Sequence, residues 1–422
     1  MSYIIDRVIT CLDRMTFIKI FITISERMIK MKKIPFSPPD ITDKEIEAVV
    51  EVLKSGWITS GPTLAKFEEE LAEYCEANKA VALNSATAAM ELILKVFDIK
   101  EGDEIITTPY TYTATASVAV HRGIKPIFCD VAKDSFFIDY NKIGDLITDK
   151  TKVIMPVDFA GVPCDYDKIK AVLKEKNRED IIILVDSAHS FGAKYKGGKV
   201  GAQCDFHTFS FHAVKNFTTA EGGAITYNNN NFNGRENLFQ DFKFTSLHGQ
   251  SKDALSKMKA GAWEYDIITD GFKCNMTDIN AAIGRVQLTR YEDMLKYRKE
   301  IFNTYTRILE KEDFSIIPVT EYGEGTESSY HLYPLRIKGF NEEKRNILIQ
   351  KLAEKGISTN VHFKPLPMFT LYKNLGYNIE DYPNAYAQYE SEITLPVYST
   401  LKLEDVEYIA NELVKVVKEI NK

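Results

Sequence analysis

Cysteine is scarce and scattered: Cys11, Cys75, Cys129, Cys164, Cys204 and Cys274 form no Cys-x-x-Cys pair and no spacing suited to a metal. That pattern excludes a zinc module and a disulfide framework, and it suits a reducing cytoplasm. Runs of one charge sign are also missing. With 53 Lys+Arg against 60 Asp+Glu the net charge is −7, and no basic stretch is long enough to grip nucleic acid or an anionic membrane. The expected partners are small molecules. Long apolar runs are absent too: residues 15–24 (MTFIKIFITI) are short, are broken by Lys19, and no small-residue cleavage site follows them before Met31. Residues 1–30 are therefore expected to be an extension outside the fold, with Met31 or Met28 as the natural start. There is no internal repeat, and the one low-complexity stretch, 228–231, reads as a turn after a strand.

What is present fits a large α/β protein. At 422 residues and 45% hydrophobic content, the chain can bury one large core and a second lobe. Thr42-x-x-Glu45 makes a capping box, Ile46, Val49, Val50 and Leu53 recur with helical period, and Gly56 closes that helix. A second helix follows Gly61-Pro62, with Leu64, Phe67 and Leu71 on one face. Between helical patterns come short apolar runs at 81–83, 104–107, 126–129, 153–156, 181–185, 206–210 and 224–227, read as buried strands. A long helix over 281–305 leads out of this layer. Beyond it a strand (331–337), a helix (342–355), a strand (357–361) and a final helix (403–420) make a smaller α+β lobe. The expected division is 31–295 for the large domain and 296–422 for the small one.

The chemistry concentrates in FSFHAVKNFTTAEGG, residues 209–223, where Lys215 follows a strand and precedes a Glu-Gly-Gly turn. A lysine that is to form an imine with an aldehyde must be partly desolvated, because only the neutral amine is nucleophilic. A lone lysine more often lays its stem on the protein and sends its head to solvent. Upstream, Asp186 closes the most hydrophobic of the runs. Pyridoxal phosphate (PLP) accepts electrons well only with its pyridine nitrogen protonated, and a carboxylate at the end of a buried strand can hold that proton. The alternative for Asp186 is a helix N-cap. His189 has two readings, a partner for the cofactor's phenolic oxygen or a satisfied core histidine. Asn84-Ser85-Ala86-Thr87 follows a strand and opens a helix, a seat for phosphate and also the pattern of any N-cap. In Thr108-Pro109-Tyr110-Thr111-Tyr112-Thr113 an aromatic ring could stack on a pyridine face or simply pack in the core.

Lysine, aspartate, phosphate loop and aromatic occur in the order found in the DegT/DnrJ/EryC1/StrS sugar aminotransferases of PLP fold type I, which the chain resembles from Ile34 to its end. The stretches carrying the resemblance are SGWITSGP (55–62), NSATAAMEL (84–92), TPYTYTATA (108–116), VDSAHSFGA (185–193), FSFHAVKNFTTAEGG (209–223), NMTDINAAIG (275–284), HLYPLRI (331–337) and VHFKPL (361–366). The resemblance implies a cofactor-linking Lys215, a pyridine-nitrogen carboxylate at Asp186, a stacking ring at Tyr112, and phosphate contacts from Ala86, Thr87 and Ser210. It implies that His189 lies near the cofactor hydroxyl, that Asn275 reaches in from the second chain of a homodimer, and that His331 and Trp57 touch substrate. Asn275 or Thr277 could instead cap the helix that starts near Asp278. It further implies amino transfer from glutamate to a nucleotide-linked keto sugar, with 263–280 and 361–366 most like relatives acting on 4-keto sugars; a 3-keto sugar is the runner-up. One departure stands out. Relatives often carry arginine two residues before a His-Gly pair, where this chain has Ser246 in Ser246-Leu247-His248-Gly249. Relatives with histidine in place of the lysine are PLP dehydratases, so Lys215 argues for transamination over that rival and over a regulator that merely binds its ligand.

Overall fold

The computed structural model describes residues 32–229, 232, 234–251 and 263–422. The expectations for 1–30, and part of that for 228–231, lie outside these residues.

All seven short apolar runs become strands of one sheet: β1 (Lys79–Leu83), β2 (Glu104–Thr107), β3 (Lys125–Phe128), β4 (Thr151–Met155), β5 (Ile182–Asp186), β8 (Phe206–Ser210) and β9 (Gly223–Tyr227). Between β5 and β8 a two-residue hairpin forms from β6 (Lys194–Tyr195) and β7 (Gly198–Lys199). The sheet order is β1-β9-β8-β5-β4-β2-β3. The strands from β3 to β8 in that order are parallel, and β9 runs antiparallel between β8 and β1.

Alternate residues feed two cores, as the pleat requires. Ala82, Ile106, Ile154, Ile183 and Phe209 pack with Leu64, Phe67 and Leu71 of the helix Pro62–Tyr74. Val81, Ile105, Val153, Leu184 and Phe206 pack with Met90, Ile93 and Leu94 of the helix Ala86–Val96. Covering both faces of the sheet is what lets these strands be apolar throughout rather than alternating.

The helix Asp278–Leu309 joins this body to a second core. Its Ala281, Tyr291 and Met294 pack against the large sheet, and its Ile301, Phe302 and Tyr305 pack against the antiparallel sheet β10 (Ser315–Ile316), β11 (Tyr333–Ile337) and β12 (Glu392–Leu395). The helices Glu342–Ala353 and Leu403–Ile420 complete that lobe. Arg298 lies buried where the two parts meet, donating to the carbonyl oxygens of Tyr330, His331 and Val397, and burial lowers its guanidinium pKa to about 10. Among the described residues no helix is long and apolar enough to cross a membrane.

Three details differ from expectation. The helix Asp43–Ser55 has its capping box and a left-handed Gly56 cap, but Ile46, Val50 and Leu53 are exposed. Its inward face carries Val52 and Glu45 instead, and Glu45 accepts from Gln287 and Arg290 of the long helix at 2.8 Å each. The run 357–361 is no strand. Ile357 bridges Ile34 and Asn360 bridges Thr394 singly, and the chain then turns towards the site at His362. Ile34, expected in the large domain, packs into the second core.

Candidate active site

The parallel strands all end at one edge of the sheet, and the polar residues that follow them gather there. Asp186 ends β5 and Ser210 ends β8, while antiparallel β9 begins at the same edge with Gly223, which pairs with both Leu83 and Ser210. A Cβ on Gly223 would stand 2.4 Å from the Ala86 nitrogen, so only glycine lets the start of the helix Ala86–Val96 sit this close to the strand. Lys215, Asp186, His189, Tyr112, Ala86, Thr87, Ser210 and His331 line one cavity of about 370 Å³. Trp57 and Asn275 do not.

Asp186 is 6% exposed, with Oδ2 accepting from Thr115 Oγ1 at 2.7 Å and Oδ1 from the Ala188 N–H at 3.2 Å. No helix starts at Asp186, so the N-cap alternative falls away. Burial raises its pKa, and the Thr115 and Ala188 hydrogen bonds and the Lys215 charge oppose that rise. Burial also pushes the Lys215 ammonium down to about 8 against the attraction of Asp186. A sizeable neutral fraction near neutral pH is what a nucleophilic amine requires.

Three histidines surround Lys215, and burial together with its charge depresses the pKa of each. His189 Nδ1 accepts the Ala160 N–H at 3.3 Å, so the neutral ring carries its proton on Nε2. His331 Nδ1 is 2.6 Å from Asn216 Oδ1, while Asn216 Nδ2 donates to Ser329 O. At the helix start, Ser85 Oγ caps the Ala88 N–H. The N–H groups of Ala86 and Thr87, which lack intrahelical partners, remain for an anion in the cavity. Tyr112 is 62% exposed on the cavity wall, 6.4 Å from the Phe363 ring.

Asn275 and Trp57 lie elsewhere. Asn275 Nδ2 donates to Ser60 Oγ at 2.6 Å, Lys273 Nζ donates to its Oδ1, and it opens on a second cavity of about 430 Å³ with Ser60, Lys243 and Ser246. The Trp57 indole donates to Ser60 O beside it. The cap of the long helix is Thr277, whose hydroxyl accepts from the Asn280 N–H. Sequence reading missed Phe36, Ser37, Val214 and His362, which also line the main cavity, and Thr115, which orients Asp186. His362, Thr115 and Val214 belong to the VHFKPL, TPYTYTATA and FSFHAVKNFTTAEGG stretches that carry the resemblance, though no role is read for them there, and nothing in the sequence marks the segment around Phe36.

A partly neutral buried amine, a buried carboxylate, a cluster of free N–H groups at a helix start and an exposed aromatic ring correspond to the aldehyde, pyridine nitrogen, phosphate and ring face of PLP. Together with the sheet order, this site defines a PLP-dependent transferase of fold type I. Residues 39–414 match the DegT/DnrJ/EryC1/StrS aminotransferase family, and the chain belongs to it. It is similar to Spr1654 of Streptococcus pneumoniae, described as a sugar aminotransferase and solved in PLP and PMP forms. To the PMP form it is 47% identical with a TM-score of 0.88, covering 92% of this chain and 100% of that one. PseC of Helicobacter pylori, an aminotransferase involved in the biosynthesis of pseudoaminic acid, is 31% identical with a TM-score of 0.83 over 92% of this chain and 100% of its own. The spore coat polysaccharide biosynthesis protein SpsC of Bacillus subtilis is 36% identical over 392 residues, 91% of this chain and 97% of SpsC.

Proposed function

We propose that the protein moves an amino group from glutamate to the keto carbon of a nucleotide-linked deoxysugar, at C4 in preference to C3. The observation that carries this reading is the meeting of Lys215, Asp186 and the start of the helix Ala86–Val96 in one cavity. The family is one of sugar aminotransferases, and PseC and SpsC are named for the biosynthesis of a sugar acid and of a polysaccharide.

When bound, PLP supplies an aldehyde for the amine and a ring that takes up electrons from the reacting carbon. Lys215 Nζ would hold the cofactor's aldehyde carbon and would move the proton at the substrate carbon. Asp186 keeps the pyridine nitrogen protonated, and His189 offers its Nε2–H to the phenolic oxygen. Ala86, Thr87 and Ser210 would hold the phosphate, and Tyr112 would supply an aromatic face for the ring. Asn275 of the partner subunit completes the phosphate seat in a homodimer, which accounts for its place outside its own chain's cavity. His331 on the cavity wall, and Trp57, whose indole bonds Ser60 O, would meet the sugar. The reaction is placed in the cytoplasm, where the buried free thiols Cys75, Cys129, Cys164, Cys204 and Cys274 stay reduced.

The test is to incubate the PLP-loaded protein with glutamate and a panel of UDP-, dTDP- and GDP-linked 3-keto and 4-keto sugars, reading each by mass. A product in which amine replaces the keto oxygen, strongest with a 4-keto sugar, is the expected result. Consumption of a sugar with no nitrogen gained would overturn the reading in favour of a lyase.

A further inference from the structure

His362 lines the cavity and feels the charge of Lys215, yet the proposed reaction gives it no task. Its Nδ1 is 2.9 Å from the Thr394 hydroxyl, and that hydroxyl is hydrogen-bonded in turn to Glu392 Oε1. The other carboxyl oxygen, Oε2, accepts the backbone N–H of His362 itself at 2.9 Å. Glu392 and Thr394, both on β12, have no exposed surface. Phe36 stacks on the imidazole at 5.7 Å, and the Tyr110 hydroxyl donates to His362 O at 2.7 Å. The ring is held on these sides, and its Nε2 is left for the cavity.

A hydroxyl has one proton to give, so the chain from Glu392 through Thr394 to His362 has a direction. With Glu392 protonated, the proton sits on Oε1, because Oε2 is taken by the backbone N–H. Oε1 then donates to Thr394, Thr394 donates to Nδ1, and the ring keeps its own proton on Nε2. Ionising Glu392 reverses every step and leaves Nε2 a bare lone pair.

The surroundings favour the first order. Burial lifts the Glu392 carboxyl to about 8 against its hydrogen bonds and the charge of Arg345. Arg345 directs Nη1 to the carbonyl oxygens of Tyr389 and Glu392 rather than to the carboxylate. Tyr110 also faces Glu392, with Arg336 beyond it, and Lys215, His189 and His331 face the imidazole. Burial and Lys215 keep His362 neutral, with a pKa near 3, so its tautomer rather than its charge is what varies.

We propose that Glu392 and Thr394 are positioning residues that hold His362 as its Nε2–H tautomer, so that it donates a hydrogen bond to a keto or hydroxyl oxygen of the substrate. The substrate half of this rests on the sugar reading above; the tautomer does not.

The tautomer is read by nitrogen-15 NMR of histidine-labelled holoenzyme without substrate, His362 being assigned by the signal lost in His362→Gln. At neutral pH the proton is expected on Nε2, moving to Nδ1 as pH rises past about 8. Glu392→Gln, whose amide still donates to Thr394 and whose oxygen still accepts the backbone N–H, should hold the proton on Nε2 throughout. Thr394→Val should mix the tautomers and raise KM for the accepted sugar by the factor by which the Nε2–H form is diluted, about twofold for an even mixture, with kcat unchanged. Thr394→Ser should restore both. A proton on Nδ1 at neutral pH, or a tautomer unmoved by Thr394→Val, overturns the relay. A tautomer that mixes while KM stays unchanged overturns the hydrogen bond to substrate.

Discussion

Thr115 Oγ1 donates to Asp186 Oδ2 at 2.7 Å, tying the loop that carries Tyr112 to the end of β5. The same hydroxyl is 2.8 Å from that of Thr111, so a short file of threonines ends on the carboxylate. With the Ala188 N–H on Oδ1, the carboxyl plane is fixed from both sides. The role proposed for Asp186, keeping one proton on one ring nitrogen, needs that kind of fixing.

Asp186→Asn should fold and bind cofactor but lose most of its turnover, because an amide cannot stabilise a pyridinium charge. Thr115→Val, which leaves the carboxylate free to rotate, should lower kcat by about tenfold, the scale of one lost hydrogen bond. Steady-state kinetics alongside cofactor absorbance check both. Unfolding of Asp186→Asn, rather than inactivity, would mean that the residue is structural.

Burial sets the Lys215 amine near 8, well under the ordinary lysine range. The neutral, reactive form is therefore about half the population at pH 8 and nearly complete about a unit above it. Stopped-flow capture of PLP by the apoprotein should speed up over that window and level off, instead of climbing beyond pH 10 as it would for an exposed lysine. Borohydride should fix the cofactor on Lys215, and Lys215→Ala should lose turnover by several orders of magnitude.

Beneath the site, buried Asp158 accepts from the hydroxyls of Tyr166, Ser187 and Ser190 and from the Cys164 N–H, pinning the turn between Asp186 and His189. Its folded pKa is raised from 3.8 to about 6 by burial. A raised carboxyl gives stability that is present below 3.8 and lost as pH rises through about 6, so Asp158→Asn should flatten that part of the stability curve. At neutral pH the amide should cost about 1–3 kcal/mol, as a disturbed buried network does. Chemical denaturation from pH 4 to 8 checks the sign; an unchanged slope would rule out this carboxyl as its source.

Asn275 reaches no atom of its own cavity, so the homodimer reading makes a sharp demand. Lys215→Ala and Asn275→Ala chains, each inactive alone, should regain activity when unfolded and refolded together, since one site of the mixed dimer collects both lesions and the other neither. Mixed dimers without activity would end the cross-subunit role.

How far the sequence could be read follows from where each signal was local. The strands were legible because each is a short apolar run buried on both faces, and Asp186 because a carboxylate ends the most apolar of them. The start of the helix Ala86–Val96 was legible for the same reason: its cap lies within four residues. Thr115 was not, since its partner is 71 residues away and a buried threonine carries no pattern. The stripe of Ile46, Val50 and Leu53 gave the right helix and concealed which face turns inward, which a long-range polar seam through Glu45 decides. Residues 357–361 had the composition of a strand, but a strand also needs successive residues paired, and here the chain meets the edge strand β12 at a single residue.

Arg298 is a cation with no carboxylate, shared among the carbonyl oxygens of Tyr330, His331 and Val397. Stripping those carbonyls away inside the protein would cost several kcal/mol. The backbone at His331, a residue that lines the cavity, is thereby tied to the long helix, and moving it would strand that charge. This wall of the site behaves as an anvil against which the reaction is worked, and Arg298→Met should loosen it without touching Lys215.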